Sequence, residues 1–338
     1  MRTIEWKDGM VTTIDQTKLP HKTVTLKMKS CKEICKAIKT MQIRGAPLLG
    51  AAAGYGLALT AFHSKAKEKH HLIKELDASA QLLRQTRPTA VNLFWAIERI
   101  IRKAKKTAGD TRTVAAIVVK EALKIALEDV RTSRKIGENG AVLISENDTV
   151  LTHCNAGRLA TVDYGTALAV IRAAWAGGKK IHVIATETRP LLQGARLTAY
   201  ELFSDGIPVT LVTDSMVGYV MAEGLVNKII VGADRIVKDA VINKIGTYQI
   251  SVLASKHKIP FYVAAPQSTF DMNRLAENVV IEQRDAREVT EFAGTQIAPK
   301  GISVLNPAFD ITPMKNVTAI ISEKGIIYPN SDSKVSAI

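Results

Sequence analysis

Apolar and polar positions follow two different periods along this chain, and the place where they change divides it. Residues 1–27 alternate in twos: Thr3-Ile4-Glu5-Trp6, a turn at Lys7-Asp8-Gly9, a run from Met10 to Ile14, then Thr23 to Leu26. Alternation sends successive side chains to opposite faces, so this stretch is expected to form a small antiparallel sheet. Helical spacing then takes over and predicts helices over 31–41, 47–66, 77–85, 89–106 and 111–143. From Thr149 short β-branched runs alternate with helical segments, as in a parallel α/β sheet. The expected strands are 150–153, 181–186, 209–213, 228–231, 260–264 and 319–322, with helices over 163–175, 193–203, 215–223 and 246–256. The chain is expected to divide within the long helix, into domains 1–125 and 126–338. No internal repeat, low-complexity tract or Ser/Gly linker interrupts it.

Polar residues just beyond the carboxyl ends of parallel strands are the ones a ligand meets. The first such loop is Thr152-His153-Cys154-Asn155-Ala156-Gly157. Cys154 reads either as a small residue packed at a strand end or as a thiol activated beside a helix N-terminus. His153 precedes it, but neighbours on a strand point to opposite faces, which argues against a Cys–His couple. The second strand ends in Glu187-Thr188-Arg189-Pro190, followed by Gln193 and Gly194; the third ends in Asp214, a candidate helix cap. The fourth ends in Gly232-Ala233-Asp234-Arg235, where Asp234 either faces the crevice or pairs on the surface. A hairpin-like return over 237–242 then delivers Asn243-Lys244-Ile245-Gly246-Thr247 to another helix start, a setting suited to phosphate. Further back, Arg44-Gly45-Ala46-Pro47 and Arg87-Pro88 each place an arginine before a proline that opens a helix.

Composition narrows the class. A hydrophobic share of 46% and a charged share of 23% are those of an ordinary globular protein, and 338 residues favour two domains. No apolar run reaches a membrane span, and the start, Met1-Arg2-Thr3-Ile4-Glu5-Trp6, reads as a cytoplasmic one without a leader. Lys plus Arg at 46 against 32 acidic residues gives +14, which suits an anionic partner or a solvated basic surface. The charges are scattered and aromatics are 5%, which weakens a nucleic-acid reading. Three cysteines give no disulfide framework; Cys31 and Cys35 share a helical stripe with Ile34 and Ile38 and read as packing residues. No metal-ligand spacing, dinucleotide fingerprint or P-loop occurs. Pattern alone yields an α/β enzyme or sensor for a phosphorylated small molecule.

Taken in order, Arg44-Gly45-Ala46-Pro47, Arg87-Pro88-Thr89-Ala90-Val91-Asn92-Leu93, Thr152-His153-Cys154-Asn155-Ala156-Gly157, Glu187-Thr188-Arg189-Pro190, Gly232-Ala233-Asp234-Arg235 and Asn243-Lys244-Ile245-Gly246-Thr247 resemble the methylthioribose-1-phosphate isomerase family, with Asn306-Pro307-Ala308-Phe309-Asp310 extending the match. The resemblance implies a mainly helical N-terminal domain with a small sheet, a Rossmann-like C-terminal domain and a homodimer. It implies a metal-free and cofactor-free conversion of a cyclic aldose 1-phosphate into the open ketose 1-phosphate, with no membrane or nucleic-acid partner. Cys154 and Asp234 would be the catalytic pair, Asp234 as an acid with its pKa raised by an apolar pocket. Arg44, Gly45, Ala46, Arg87, Gln193, Asn243 and Lys244 would contact substrate and phosphate. Arg158 departs from the family pattern, where a small or apolar residue is more usual. It points towards ribose-1,5-bisphosphate isomerases, whose substrate carries a second phosphate; a 5-deoxyribose 1-phosphate would also suit the apolar pocket. A non-catalytic alternative is a regulatory subunit of the translation-initiation guanine nucleotide exchange factor, which shares the fold.

Overall fold

The computed structural model describes residues 2–329. Contacts divide the chain into two compact units, Met1–Lys135 with Ala156–Ala169, and Ile136–Asn155 with Val170–Ile338.

In the first unit, β1 (Ile4–Lys7), β2 (Met10–Ile14) and β3 (Thr25–Met28) form the antiparallel sheet expected from the alternation. The register sets Trp6 opposite Val11 and Val11 opposite Met28, so Ile4, Trp6, Val11 and Met28 share the face turned to the core. Five helices follow: α1 (Cys31–Lys39), α2 (Ala46–His63), α3 (Lys69–Arg84), α4 (Val91–Lys106) and α5 (Thr111–Ala141), which runs on into the second unit. α2 is apolar nearly all round, and Leu48, Leu49, Ala52, Tyr55, Leu57 and Leu59 are buried in the core it shares with its neighbours. Cys31 and Cys35 are buried in the same core.

Residues 156–169 are stitched into this unit. The Thr3 amide donates to Val162 O at 2.9 Å, Gln16 Nε2 to Leu159 O at 2.7 Å, and the Val162 amide to Asp129 Oδ2 at 2.7 Å. A helix expected from residue 163 is delayed. The loop makes a 3₁₀ turn at Arg158–Ala160, and α6 (Ala167–Ala176) starts later. Tyr164 and Gly165 take φ of 79° and 94°, which a right-handed helix does not accommodate.

The second unit holds a seven-stranded sheet built from β4 (Thr149–Thr152), β5 (His182–Thr186), β6 (Val209–Val212), β7 (Lys228–Val231), β10 (Phe261–Ala264), β14 (Ala319–Ser322) and β15 (Gly325–Ile327). Its order is β15-β14-β10-β7-β4-β5-β6. Six strands are parallel, all six of them expected from their β-branched runs; β15 returns antiparallel to β14. Helices α7 (Ala199–Ser204), α8 (Val217–Ala222) and α9 (Thr247–His257) lie between strands. The hairpin of β8 (Arg235–Ile236) and β9 (Ala240–Lys244) gains a third strand, β13 (Phe309–Pro313), and short α10 (Arg287–Thr290), β11 (Glu291–Phe292) and β12 (Thr295–Gln296) fill the intervening chain. No described helix is long and apolar enough to cross a membrane.

Candidate active site

From β4 the chain builds outward through β5 and β6, then crosses to β7 on the other side of β4. The direction of winding therefore reverses between β4 and β7, and such a switch point opens a crevice at the carboxyl ends of the strands. Cys154 lies two residues beyond β4 and Asp234 three beyond β7, so thiol and carboxylate leave neighbouring parallel strands at the same end. Both are half-buried, and the Asp234 amide donates to Ile242 O at 3.0 Å, tying it to β9.

Cys154 adopts a left-handed backbone, φ 61°, and so does Thr188 at φ 64°. For residues with a Cβ this costs roughly 1–2 kcal/mol each and persists only where the surroundings enforce it. Here hydroxyls enforce it. The Cys154 amide donates to Thr188 Oγ1 at 2.9 Å, and Thr198 Oγ1 donates to Cys154 O at 2.6 Å. Thr198 closes a π turn over Gly194–Thr198 that replaces the start of the α-helix expected there. Such turns are rare and cluster at functional sites. Gly194 permits the turn, since a Cβ at that position would lie 1.7 Å from Thr186 O. Gln193, just before it, is 4% exposed, and its Oε1 accepts no hydrogen bond from any described residue.

Asn243 and Lys244 end β9, both buried. Asn243 Nδ2 donates to Thr247 Oγ1 at 3.1 Å; Lys244 Nζ donates to Ala308 O at 2.9 Å and sits 4.8 Å above the Phe309 ring. Pairing of β9 with β13 sets Asn243 opposite Asp310, whose Oδ2 accepts from the Gly246 amide at 2.7 Å. Burial pushes the Asp310 carboxyl up to about 6 despite those amide contacts. Asp310 belongs to a motif quoted above, but its anchoring of the Lys244–Gly246 turn came only with the strand pairing.

Arg44, Gly45, Ala46 and Arg87 belong to the first unit. Arg44 is 6% exposed and precedes α2, which Gly45 starts at φ 104°. A Cβ on Gly45 would lie 2.5 Å from Ala160 Cα, so only glycine admits the 158–160 turn here. Arg87 Nη1 donates to Met41 Sδ at 3.4 Å, three residues before Arg44, so the two arginine motifs converge within this unit. α4 begins at Val91, three residues after Pro88, not at the proline.

Two further expectations change. Asp214 does not cap the following turn; its carboxylate accepts the amides of Thr188 and Arg189 at 2.9 and 2.7 Å and holds the β5 exit loop. The helix expected to begin at residue 163, after the Cys154 loop, begins at Ala167. Sequence reasoning gave Thr188 no role of its own within its motif and passed over Thr198, because threonines near strand ends carry no distinctive spacing. The grouping with metal-ligand proximity among the described residues is Glu68, His70 and His71, exposed at the start of α3 and without Cys154 or Asp234.

The model of the initiation factor 2 subunit family matches residues 42–329. A methylthioribose-1-phosphate isomerase from Geotalea uraniireducens is 50% identical over 340 residues, spanning 100% of this chain and 98% of its own. The crystal structure of 5-methylthioribose 1-phosphate isomerase from Pyrococcus horikoshii superposes with TM-score 0.91 at 44% identity, covering 97% of this chain and 92% of the other. A structure from A. fulgidus, described as translation initiation factor eIF-2B subunit delta, matches with TM-score 0.87 at 55% identity over 98% and 96%. With full-length identity at this level on both counts, the chain belongs to the initiation factor 2 subunit family, among its methylthioribose-1-phosphate isomerases.

Proposed function

We propose that the protein isomerises 5-methylthioribose 1-phosphate to 5-methylthioribulose 1-phosphate in methionine salvage. The observation that carries the reading is the exit of a thiol and a carboxylate from the same ends of neighbouring strands, in a chain whose full-length relatives bear that enzyme's name. The anomeric oxygen of this substrate is phosphorylated, so the ring cannot relax to a free aldehyde. The bond from C1 to the ring oxygen must break with protonation of that oxygen, the hydrogen at C2 must reach C1, and the C2 hydroxyl must give up its proton to become a ketone. Asp234 is the acid towards the ring oxygen and Cys154 acts at C2 or C1. Gln193, Asn243 and Lys244, with Arg44, Gly45, Ala46 and Arg87, hold sugar and phosphate. The buried Oε1 of Gln193, which accepts from no described residue, and the buried ammonium of Lys244 support that role. The family resemblance supports the remaining parts: a Rossmann-like second unit, a homodimer, a cytoplasmic setting, and chemistry without metal or cofactor.

A turnover assay on purified protein tests this. Methylthioribose 1-phosphate is expected to exceed 5-deoxyribose 1-phosphate and ribose 1,5-bisphosphate in kcat/KM. Preference for the bisphosphate would shift the reading and give Arg158 a phosphate to hold. The initiation-factor name of the A. fulgidus structure favours a second reading, regulation without catalysis; no turnover on any of the three, with binding to an initiation factor, would establish it.

A further inference from the structure

We infer that His153, held as the neutral Nε2–H tautomer, polarises a one-way series of threonine hydroxyls that fixes the backbone of Cys154. The inference rests on the catalytic role proposed for Cys154, and it lies wholly within the second unit.

The direction of each bond follows from what its partners can do. His153 Nε2 lies 2.8 Å from Ile245 O, and a carbonyl only accepts, so Nε2 carries the hydrogen. Nδ1 lies 2.6 Å from Thr186 Oγ1. Burial disfavours the charged ring and Lys244 adds to this; the Ile245 carbonyl and Asp214, 4.0 Å from Nδ1, oppose it. Asp214 is already committed to two backbone amides. On a neutral ring Nδ1 is an acceptor, so the Thr186 hydroxyl donates to it. Thr186 Oγ1 is then free to accept from Thr188 Oγ1 at 3.3 Å, with Thr186 O at 3.4 Å as the alternative acceptor on the same residue. Thr188 Oγ1, its own hydrogen turned away, accepts the Cys154 amide at 2.9 Å. On the other flank Asn155 Nδ2 donates to Thr198 Oγ1 at 3.1 Å, which leaves the Thr198 hydrogen for Cys154 O at 2.6 Å.

Both backbone polar groups of Cys154 are therefore held by hydroxyls, one from the β5 exit and one from the π turn. The far end of the series is Ile245, next to Lys244, so the turn bearing Asn243 and Lys244 and the thiol residue are set by one set of bonds. His153 is a positioning residue. It works through the backbone of its neighbour and not as a base for the thiol. A protonated ring would donate from Nδ1 and reverse the Thr186 hydroxyl, ending the polarisation that runs from the ring to Thr188.

Two arms test this on the full chain. In nitrogen-15 NMR of the ligand-free protein, the His153 ring is expected to show a protonated Nε2, an unprotonated Nδ1, and no titration near the ordinary histidine range. An Nδ1–H tautomer, or protonation near pH 6.5, would overturn the inference. In the kinetic arm, Thr198→Val and Thr188→Val are each expected to lower kcat by at least about tenfold with KM within about twofold, because the thiol is displaced while the binding groups stay. Thr198→Ser, which keeps the hydroxyl, is expected to restore kcat to within about threefold of the parent. Parent-like kcat in both valine variants, or a serine variant as slow as the valine one, would overturn it. Absence of turnover by the unaltered protein would sink the proposed function instead, and the NMR arm would still decide the hydrogen-bond direction.

Discussion

Asn155, the residue after the thiol, donates through Nδ2 to Glu201 Oε1 at 2.9 Å, and the other carboxylate oxygen of Glu201 accepts from Arg172 Nη2 at 2.7 Å. Both charges are buried, Glu201 at 2% exposure and Arg172 at 7%, and Asp205 Oδ2 completes the group by accepting from Arg172 Nε at 2.7 Å. The side chain beside Cys154 is thus held by a buried ion-pair group.

Removing one member of such a group strands the others. Glu201→Ala is expected to destabilise by about 3 kcal/mol, the low end for breaking a buried pair, since Asp205 still neutralises Arg172. Glu201→Gln keeps an acceptor for Asn155 and should cost less. Urea unfolding followed by circular dichroism measures both; an alanine variant as stable as the parent would show that the group contributes nothing.

Substituting either proposed catalytic residue separates chemistry from folding. Cys154→Ser and Asp234→Asn are expected to reduce kcat by about 10³-fold or more while the unfolding midpoint stays close to the parent's. Near-parental turnover in either variant would remove that residue from the pair.

Turnover in deuterium oxide distinguishes the two routes open to the C2 hydrogen. Transfer through a thiol that exchanges with solvent puts deuterium at C1 of the ketose, whereas a direct hydride shift carries the original hydrogen across. Proton NMR of the product reads the outcome, and full retention would rule out Cys154 as a freely exchanging base.

Asp310 sets a pH dependence whose sign follows from its raised carboxyl, about 6 in the folded chain against an ordinary value of 3.8. A raised group contributes stability that is fully present below pH 4 and is lost as the pH climbs through 6, by roughly 3 kcal/mol at most. Asp310→Asn cannot ionise and escapes that loss. The stability difference, parent minus variant, is therefore expected to fall between about pH 4 and 6 in urea titrations and to level off above that. His153, with its depressed pKa, loses stability as the pH drops below about 6.5 in both proteins, so it cancels. A flat difference would show that Asp310 titrates normally.

The six parallel strands were legible because each is a short β-branched run bounded by turn residues; Cys154 and Asp234 follow two of them, while Asn243 and Lys244 close β9 in a separate sheet. The late start of α6 was not, since nothing in the apolar spacing of 163–175 reveals the positive φ of Tyr164. The π turn after Gln193 escaped for a related reason: its extra residue per turn answers to Gly194 packed on Thr186 O, a contact with a strand and not a local preference. β13 pairs with a strand more than sixty residues earlier, so the anchoring of Gly246 by Asp310 was hidden until the register was known. Asp214 was misjudged because a carboxylate at a turn caps forward or backward with equal ease, and here it reaches back to Thr188 and Arg189.

The passage of residues 156–169 into the first unit has a consequence for the order in which the chain matures. The Thr3 amide waits for Val162 and the Gln16 side chain for Leu159, and loops of that length close slowly. During synthesis β1 to β3 can pair as they emerge, but their ties to residues 159–162 form only after β4 and the thiol residue have been made. A fragment ending at Lys135 would contain β1 to β3 and α1 to α4 yet lack the segment that fills the space against Gly45. No single cut along the chain separates the two units, so a truncation at any one point removes part of both or leaves one incomplete.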